Sequence, residues 1–120
     1  MTVLLIAVAG AFGAAARYLT DGAVRTRWPS VFPWGTLAVN LAGSFLAGMV
    51  MAAVRGGDVA PGLATAITVG FCGALTTFST FSFDTLRLVE QQAVVVAALN
   101  VLANIGGSVL FAAAGWALLN

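Results

Sequence analysis

The sequence predicts an all-α integral membrane protein with one domain, and three observations lead to that prediction. The chain has 120 residues, of which 61% are hydrophobic and only 8% are charged. Its mean hydropathy is +1.04, and its apolar residues fall into four long runs with almost no charge. Roughly a quarter of the residues in a soluble domain are charged. Five basic and four acidic residues are too few to cover this chain in water.

Four transmembrane helices are predicted, at about 2–20, 33–54, 59–86 and 91–119, in a single domain covering residues 1–120. Each run supplies most of the ~20 apolar residues that a spanning helix needs. The third helix is expected to begin near Pro61, because proline suits the first helical turn. The connections are short, at about 21–33, 55–58 and 86–90.

Several kinds of chemistry lack the side chains they need. The chain has no histidine and no lysine, so Ser79 has no basic partner for hydrolysis and no enzyme activity is expected. Cys72 is the only cysteine and cannot form an internal disulfide. A net charge of +1 gives no electrostatic footprint for nucleic acid.

The arginines give a small orientation bias. Arg17, Arg25 and Arg27 lie in or near the first connection, Arg87 lies near the third, and Arg55 lies on the opposite side. Basic residues favour the cytoplasmic side, so the first and third connections are expected there. Because the bias is small, insertion in both orientations is allowed, and with it an antiparallel homodimer.

The second and fourth helices carry polar residues in the same pattern. NLAGS at 40–44 and NIGGS at 104–108 both read Asn-x-x-Gly-Ser. The i, i+4 spacing places Thr36, Asn40 and Ser44 on one face, and Asn100, Asn104 and Ser108 on another. Helix packing would account for this pattern in either helix taken alone, because glycine, asparagine and serine are common at membrane helix interfaces. Two such helices together favour a polar pathway.

The third helix contains GFCGALTTFSTFSFD at 70–84. Glycines and paired threonine hydroxyls both weaken a helix interior, so a break is predicted near 73–77. Broken helices at membrane depth often hold ions, and carbonyl oxygens without carboxylates suit a monovalent cation better than a divalent one. Phe78 and Phe81 share a helix face, and the electropositive edges of their rings, beside hydroxyl donors, suit a small anion.

These motifs together resemble one family. GFCGALTTFSTFS at 70–82 is similar to the signature of the Fluc (CrcB-type) fluoride channels. GTLAVNLAGSFLAG at 35–48 and GAFGAAARY at 10–18 resemble that family's second-helix and first-helix motifs. The resemblance covers the whole chain in order, spacing and length.

The resemblance implies an antiparallel, dual-topology homodimer in the bacterial inner membrane, surrounded by lipid. Its two pores would conduct fluoride passively and selectively out of the cytoplasm, which reduces fluoride toxicity. It also implies a central structural sodium ion, held by the backbone carbonyls of Gly73 and Thr76 from both subunits.

The resemblance further assigns the pore lining. Phe78 and Phe81 would form an aromatic box around fluoride, Asn40 would be a pore-facing amide, and Arg17 would lie in the vestibule. Thr77, Ser79, Thr80 and Ser108 would form a polar track. Asp84 stands where the family usually has glutamate, and Asn100 and Asn104 replace other polar residues or tyrosine, so the lining from the fourth helix is transferred less directly.

Two rival functions are weighed against this one. A small multidrug/proton antiporter has the same size and topology but needs a carboxylate within the membrane. The four acidic residues, Asp21, Asp58, Asp84 and Glu90, are expected at the ends of the spans. A structural membrane subunit would need small-residue packing faces but not the cluster of threonine, serine and phenylalanine.

Overall fold

The computed structural model describes all of residues 1–120 and consists of helices joined by short connections. They are α1 (Thr2–Arg27), α2 (Trp34–Gly56), α3 (residues 61–75), α4 (Phe78–Glu90) and α5 (Val94–Leu119). The helices α3 and α4 together form the third span, Pro61–Glu90. All four spans are long and apolar enough to cross a membrane, which confirms the predicted multi-pass, all-α fold.

The first helix is longer than predicted. It continues through Arg27 rather than ending near residue 20. Side-chain bonds between successive turns accompany this extension, since Arg25 Nε lies 3.0 Å from Asp21 Oδ2 and Thr26 Oγ1 donates to the Gly22 carbonyl at 2.9 Å. Ion pairs at this i, i+4 spacing stabilise a helix surface. Part of the predicted first connection is therefore a helical extension that carries charged side chains.

The helix α3 contains a wide turn that the sequence did not predict. Its middle, Ala66–Cys72, has π-helical hydrogen bonding, between ordinary helical turns at Pro61–Thr65 and Gly73–Leu75. Backbones approach closely here, because a methyl group added to Gly70 would lie 2.6 Å from the Ile6 carbonyl oxygen. One added to Gly13 would overlap the Phe71 carbonyl. Glycines let α1 pack directly on the wide turn.

The helices α2 and α5 pack against each other over much of their length. A methyl group on Gly48 would overlap the Ala112 carbonyl oxygen, and one on Gly115 would overlap the Phe45 carbonyl oxygen. Small residues that allow such close approach are the usual basis of helix packing in membranes. This contact fixes the two Asn-x-x-Gly-Ser segments at a common depth.

Polar side chains occupy the centre of the molecule. Only 23 of 120 residues are buried, and many large apolar side chains are exposed on the outer helix faces. In a bilayer that outer surface suits lipid. The buried polar and charged residues are Thr36, Asn40, Thr77, Asp84, Asn100 and Asn104. They lie on α2, at the junction of α3 and α4, on α4 and on α5, and they form the setting of the candidate site.

Candidate functional site

The third span is broken at two threonines. Thr76 has φ −76° and ψ 156°, and Thr77 has φ −148° and ψ 118°, so both have extended backbone between α3 and α4. Gly73 remains helical with φ −62° and ψ −37°. The predicted break is therefore confirmed, and it is located at the threonine end of the predicted range. Thr77 also caps α4, since its Oγ1 accepts from the Thr80 N–H at 3.1 Å.

The side chain of Asn40 bonds the broken backbone. Its Oδ1 accepts from the Thr77 N–H at 2.8 Å, and its Nδ2 donates to the Thr77 carbonyl oxygen at 3.3 Å. The same Nδ2 donates to Asn104 Oδ1 at 2.8 Å. A free backbone N–H at membrane depth costs several kcal/mol. Asn40 therefore replaces, from the neighbouring helix, a bond that the break removes from the third span.

A chain of hydrogen bonds continues from Asn40 through α5 to α4. Asn104 Nδ2 donates to the Asn100 carbonyl oxygen at 2.9 Å and to Asn100 Oδ1 at 2.8 Å. Asn100 Nδ2 donates to Thr85 Oγ1 at 2.9 Å, and Thr85 Oγ1 donates to the Phe81 carbonyl oxygen at 2.8 Å. Asn100 is fully buried and Asn104 is 4% exposed. We refer to Asn40, Asn104, Asn100 and Thr85 as the amide ladder.

The break also changes the partners of two carbonyl groups. In a continuous helix, each N–H donates to the carbonyl oxygen four residues earlier. Here the Thr77 N–H donates to Asn40 instead of Gly73, and the Thr80 N–H donates to Thr77 Oγ1 instead of Thr76. The carbonyl oxygens of Gly73 and Thr76 therefore lose their helical donors. Gly73 is exposed on the surface of the chain, and Thr76 is half-buried.

Phe78 and Phe81 lie in contact at the start of α4. Their ring centroids are 5.6 Å apart and their planes are tilted by 56°. Phe81 is buried, with 7% of its surface exposed, whereas Phe78 is 77% exposed. One ring therefore belongs to the interior of the chain, and the other projects from its surface.

A cavity of about 360 Å³ lies beside the break and the two rings. Its lining is Asn40, Ser44, Thr76, Thr77, Phe78, Phe81, Asn104, Ile105, Ser108 and Val109. Hydroxyl, amide and aromatic groups thus meet in one space without any ionised side chain. A neutral lining of this kind can replace part of the water of a small ion.

A second cavity, of about 240 Å³, lies on the other side of Thr77. Its lining is Ala14, Arg17, Tyr18, Asp21, Thr36, Val39, Thr77 and Thr80. Arg17 is half-buried and is the only cation in this lining. Asp21, the one acid in this lining, is paired with Arg25, so the guanidinium of Arg17 is left to attract anions. Thr77 lines both cavities, so the break lies between them.

Asp84 is buried near one end of the molecule. Its Oδ2 accepts a hydrogen bond from Thr36 Oγ1 at 2.9 Å. It also lines a cleft of about 460 Å³ at the end of the molecule that holds the connection between α1 and α2. Asp84 thus lies towards one end of the molecule, as Asp21 does, but its carboxylate is buried against α2 rather than exposed.

The cavity beside the break brings together six of the residues assigned to the site from the sequence. They are Asn40, Thr76, Thr77, Phe78, Phe81 and Ser108. Thr80 and Arg17 line the second cavity. Gly73 lies on the surface of α3, and Ser79 is exposed, with its Oγ 3.3 Å from Thr77 Oγ1.

The sequence reasoning did not include Ser44, Asn104 or Thr85 among the site residues. The first two line the cavity beside the break. Thr85 ends the amide ladder. The i, i+4 spacing placed Ser44 and Asn104 on polar faces, but it carried no information on what those faces contact. Thr85 has no such signal, since it is one hydroxyl among many in this segment.

Comparison with known proteins gives a match over nearly the whole chain. The model of the family described as "CrcB-like protein, Camphor Resistance (CrcB)" matches residues 4–116. Among individual proteins, a "Fluoride-specific ion channel FluC" from Geobacter sp. (strain M21) is 50% identical over 104 residues. That alignment covers 86% of this chain and 84% of the relative.

Two relatives from other bacteria match at similar levels. "Fluoride-specific ion channel FluC 1" from Frankia casuarinae is 48% identical over 117 residues, which cover 93% of this chain and 88% of the relative. The protein of the same name from Streptomyces avermitilis is 45% identical over 112 residues, covering 92% of this chain and 90% of the relative.

Proposed function

The chain belongs to the CrcB-like family, and from that membership we propose that it is a fluoride-selective channel, through which fluoride leaves the bacterial cytoplasm passively. Its relatives are named fluoride-specific ion channels. They are ion channels and not enzymes, in agreement with the absence of catalytic partners for Ser79. The chain is a multi-pass membrane protein, and the bacterial inner membrane is where such a channel would protect the cytoplasm.

One observation of the structure carries this proposal, namely the neutral cavity beside the break. Fluoride is small and holds its water strongly, so a pore for it must supply other donors. Ser44 and Ser108 line the cavity and offer hydroxyl donors, together with the rings of Phe78 and Phe81. The edges of aromatic rings are electropositive. These groups favour a dehydrated anion without the strong attraction of a fixed charge, which would slow its exit.

Anions would be gathered by a separate group. Arg17 lies in the second cavity and lines no part of the cavity beside the break. A field from this guanidinium raises the local concentration of anions near the break. Conduction requires binding that is favourable enough for entry and weak enough for release. Separating the arginine from the neutral cavity meets both needs.

The proposed functional unit is a homodimer. What supports it is polar and aromatic surface that a lone chain would present to lipid. Gly73 and Phe78 are exposed near the middle of the third span, and backbone groups in contact with lipid are costly. A second copy of the chain would cover this surface and close the cavity.

An antiparallel arrangement agrees with the weak arginine bias. A two-fold axis in the membrane plane would place two copies of Phe78 and Phe81, and two cavities, in one dimer. We propose one fluoride pore for each cavity, and therefore two pores per dimer.

The carbonyl groups released by the break fit a structural sodium ion. Sodium is a hard cation that prefers oxygen ligands, and neutral carbonyl oxygens suit a single charge. The Gly73 and Thr76 carbonyls have lost their helical donors, and Gly73 faces the proposed partner. In the proposed dimer these two residues from each subunit would hold the ion. Its charge would supply a positive potential near the pores.

Fluoride efflux from liposomes tests the proposed function. The purified protein is reconstituted, the external solution is made free of fluoride, and loss of internal fluoride is followed with a fluoride electrode. Chloride efflux is measured in parallel. We expect fast loss of fluoride without loss of chloride, at a rate independent of any proton gradient. No fluoride loss from well-folded protein would overturn the proposal.

The buried carboxylate of Asp84 gives the proton-coupled alternative one favourable observation, because such transporters need an acid within the membrane. The same liposomes distinguish the two. Coupled transport would require a proton gradient for fluoride accumulation and would lose that coupling in Asp84→Asn. A passive channel dissipates the fluoride gradient whether or not a proton gradient is present.

A further inference from the structure

We propose that Asn104, Asn100 and Thr85 are positioning residues, which orient the amide of Asn40 so that one of its N–H groups faces the anion path. This inference rests on the proposed function. It concerns how the site is held rather than which ion it takes.

The two hydrogens of the Asn40 amide are used differently. One donates to Asn104 Oδ1 at 2.8 Å, a short bond, whereas the other donates to the Thr77 carbonyl oxygen at 3.3 Å, the longest bond in the ladder. Hydrogen bonds weaken as they lengthen. The second hydrogen is therefore the one that an anion in the cavity can attract at low cost. Asn104 accepts a hydrogen bond from one Asn40 N–H and so fixes the amide in an orientation that points the other N–H towards the cavity.

Backbone groups fix the direction of the ladder. The Thr77 N–H can only donate, so it requires Asn40 Oδ1 on its side. The Asn100 carbonyl oxygen can only accept, so it requires Asn104 Nδ2 on its side. Reversing the amide of Asn104 would then set oxygen against oxygen at Asn100 and nitrogen against nitrogen at Asn40. Each reversal leaves buried polar groups unpaired, which costs free energy.

The far end of the ladder is fixed in the same way. The Phe81 carbonyl oxygen accepts the Thr85 hydroxyl hydrogen, which leaves Thr85 Oγ1 as the acceptor for Asn100 Nδ2. Asn100 is fully buried, so no water can replace that acceptor. Bonds in such a chain polarise one another and strengthen together. Thr85, which lines none of the three cavities, thereby acts on Asn40 through two intervening side chains.

The test measures the initial rate of fluoride efflux from liposomes against internal fluoride concentration. Asn104→Leu keeps the approximate shape but removes all three hydrogen bonds of the amide. Thr85→Val removes the hydroxyl at nearly constant shape, and Thr85→Ser restores it. Leu102→Ala, on the exposed face of α5, is the matched control.

The half-saturating fluoride concentration is the informative quantity. A variant that is only less stable gives fewer active liposomes but leaves this concentration unchanged. A variant with a misdirected Asn40 has a weaker site and needs more fluoride. We expect an increase of about tenfold in Asn104→Leu, which is about 1.4 kcal/mol of binding free energy. We expect an increase of about threefold in Thr85→Val, and wild-type values in Thr85→Ser and Leu102→Ala.

Two results would overturn the inference. One is an unchanged half-saturating concentration in a folded Asn104→Leu variant. The other is an equal increase in Thr85→Val and Thr85→Ser, which would assign the effect to packing rather than to the hydroxyl. If Asn104→Leu does not give monodisperse protein, the Thr85 pair decides alone. Absence of fluoride efflux from the wild-type protein would instead contradict the proposed function itself.

Discussion

The same five-residue pattern occurs in α2 and in α5, and the two copies have different tasks. Asn40 bonds the backbone of the broken span directly, through both the N–H and the carbonyl of Thr77. Asn104 makes no bond to that backbone and contacts Asn40 and Asn100 instead. The Asn40 amide bonds the backbone at the break, and the Asn104 amide bonds the Asn40 amide.

The glycines of the two patterns differ in the same way. A methyl group on Gly43 would overlap Cγ2 of Thr76, whereas one on Gly107, the equivalent glycine of α5, would lie 2.8 Å from Cδ2 of Leu41. Gly43 thus lets α2 approach the break, and Gly107 lets α5 approach α2. The serines are alike, since Ser44 and Ser108 line the same cavity. A shared sequence pattern therefore gives similar helical faces, but the neighbouring helix decides what each residue contacts.

Asn40 is where a substitution should have the largest effect. Asn40→Asp places a negative charge beside the cavity and removes both N–H donors, and a charge within the membrane is costly and repels an anion. We expect fluoride efflux to fall by at least about a hundredfold. Size-exclusion chromatography establishes that the variant is folded. Wild-type efflux in Asn40→Asp would remove Asn40 from the anion path and with it the contrast between the two amides.

The aromatic pairs offer a second contrast of the same kind. Phe81→Ile keeps an apolar side chain but loses the electropositive ring edge, so fluoride efflux should fall by about tenfold while the assembly stays intact. Phe111→Ile is the control, because Phe111 stacks edge-on with Phe45 of α2, 6.4 Å between centroids, away from the cavity. Equal effects at the two positions would argue against a specific role for the aromatic box.

The glycine difference predicts an asymmetry in stability. Gly43→Ala must displace Thr76, whose hydroxyl is held by the Cys72 carbonyl at 2.8 Å, and overpacking of this kind costs ~1–3 kcal/mol. Gly107→Ala meets only the end of the flexible Leu41 side chain and replaces glycine in a helix interior, so stability should change by less than ~1 kcal/mol. Thermal unfolding in detergent compares the two. A loss of stability in Gly107→Ala as large as in Gly43→Ala would contradict the distinction.

The serines should give the smallest and most equal effects. Ser44→Ala and Ser108→Ala each remove one hydroxyl donor from the same cavity. We expect fluoride efflux to decrease by roughly two- to threefold in each, the consequence of one lost hydrogen bond. A decrease confined to one of the two variants would place the anion path on a single side of the cavity.

Much of the fold follows from the sequence because lipid imposes simple rules. Apolar runs of sufficient length predicted the four spans, and the glycines and threonines around Thr76 and Thr77 predicted the break. The wide turn at Ala66–Cys72 has no such signal, because it depends on the fit of Gly13 and Gly70 between two backbones. The continuation of α1 to Arg27 was also missed, since charged residues at a span end suit a loop as well as an exposed helical turn.

The sequence predicted most residues of the candidate site but not the hydrogen bonds between them. Spacing placed Asn40, Asn104 and Ser108 on polar faces, and the family resemblance assigned Asn40, Phe78 and Phe81 to the pore. The sequence could not show which side chains form hydrogen bonds with each other, because Asn40 and Asn104 are 64 residues apart in the chain. Their contact depends on the axial register of α2 against α5, and that register is fixed by glycine packing at Gly48 and Gly115.

The sequence by itself determined that this chain is a membrane protein, that it crosses the membrane four times and that it carries polar groups at mid-depth. It could do so because hydropathy and helical period are local properties. Only the tertiary structure decided that one asparagine holds the broken backbone while its counterpart holds that asparagine. Hydrogen bonds need partners within about 3 Å, and such distances arise only when helices far apart in sequence pack together.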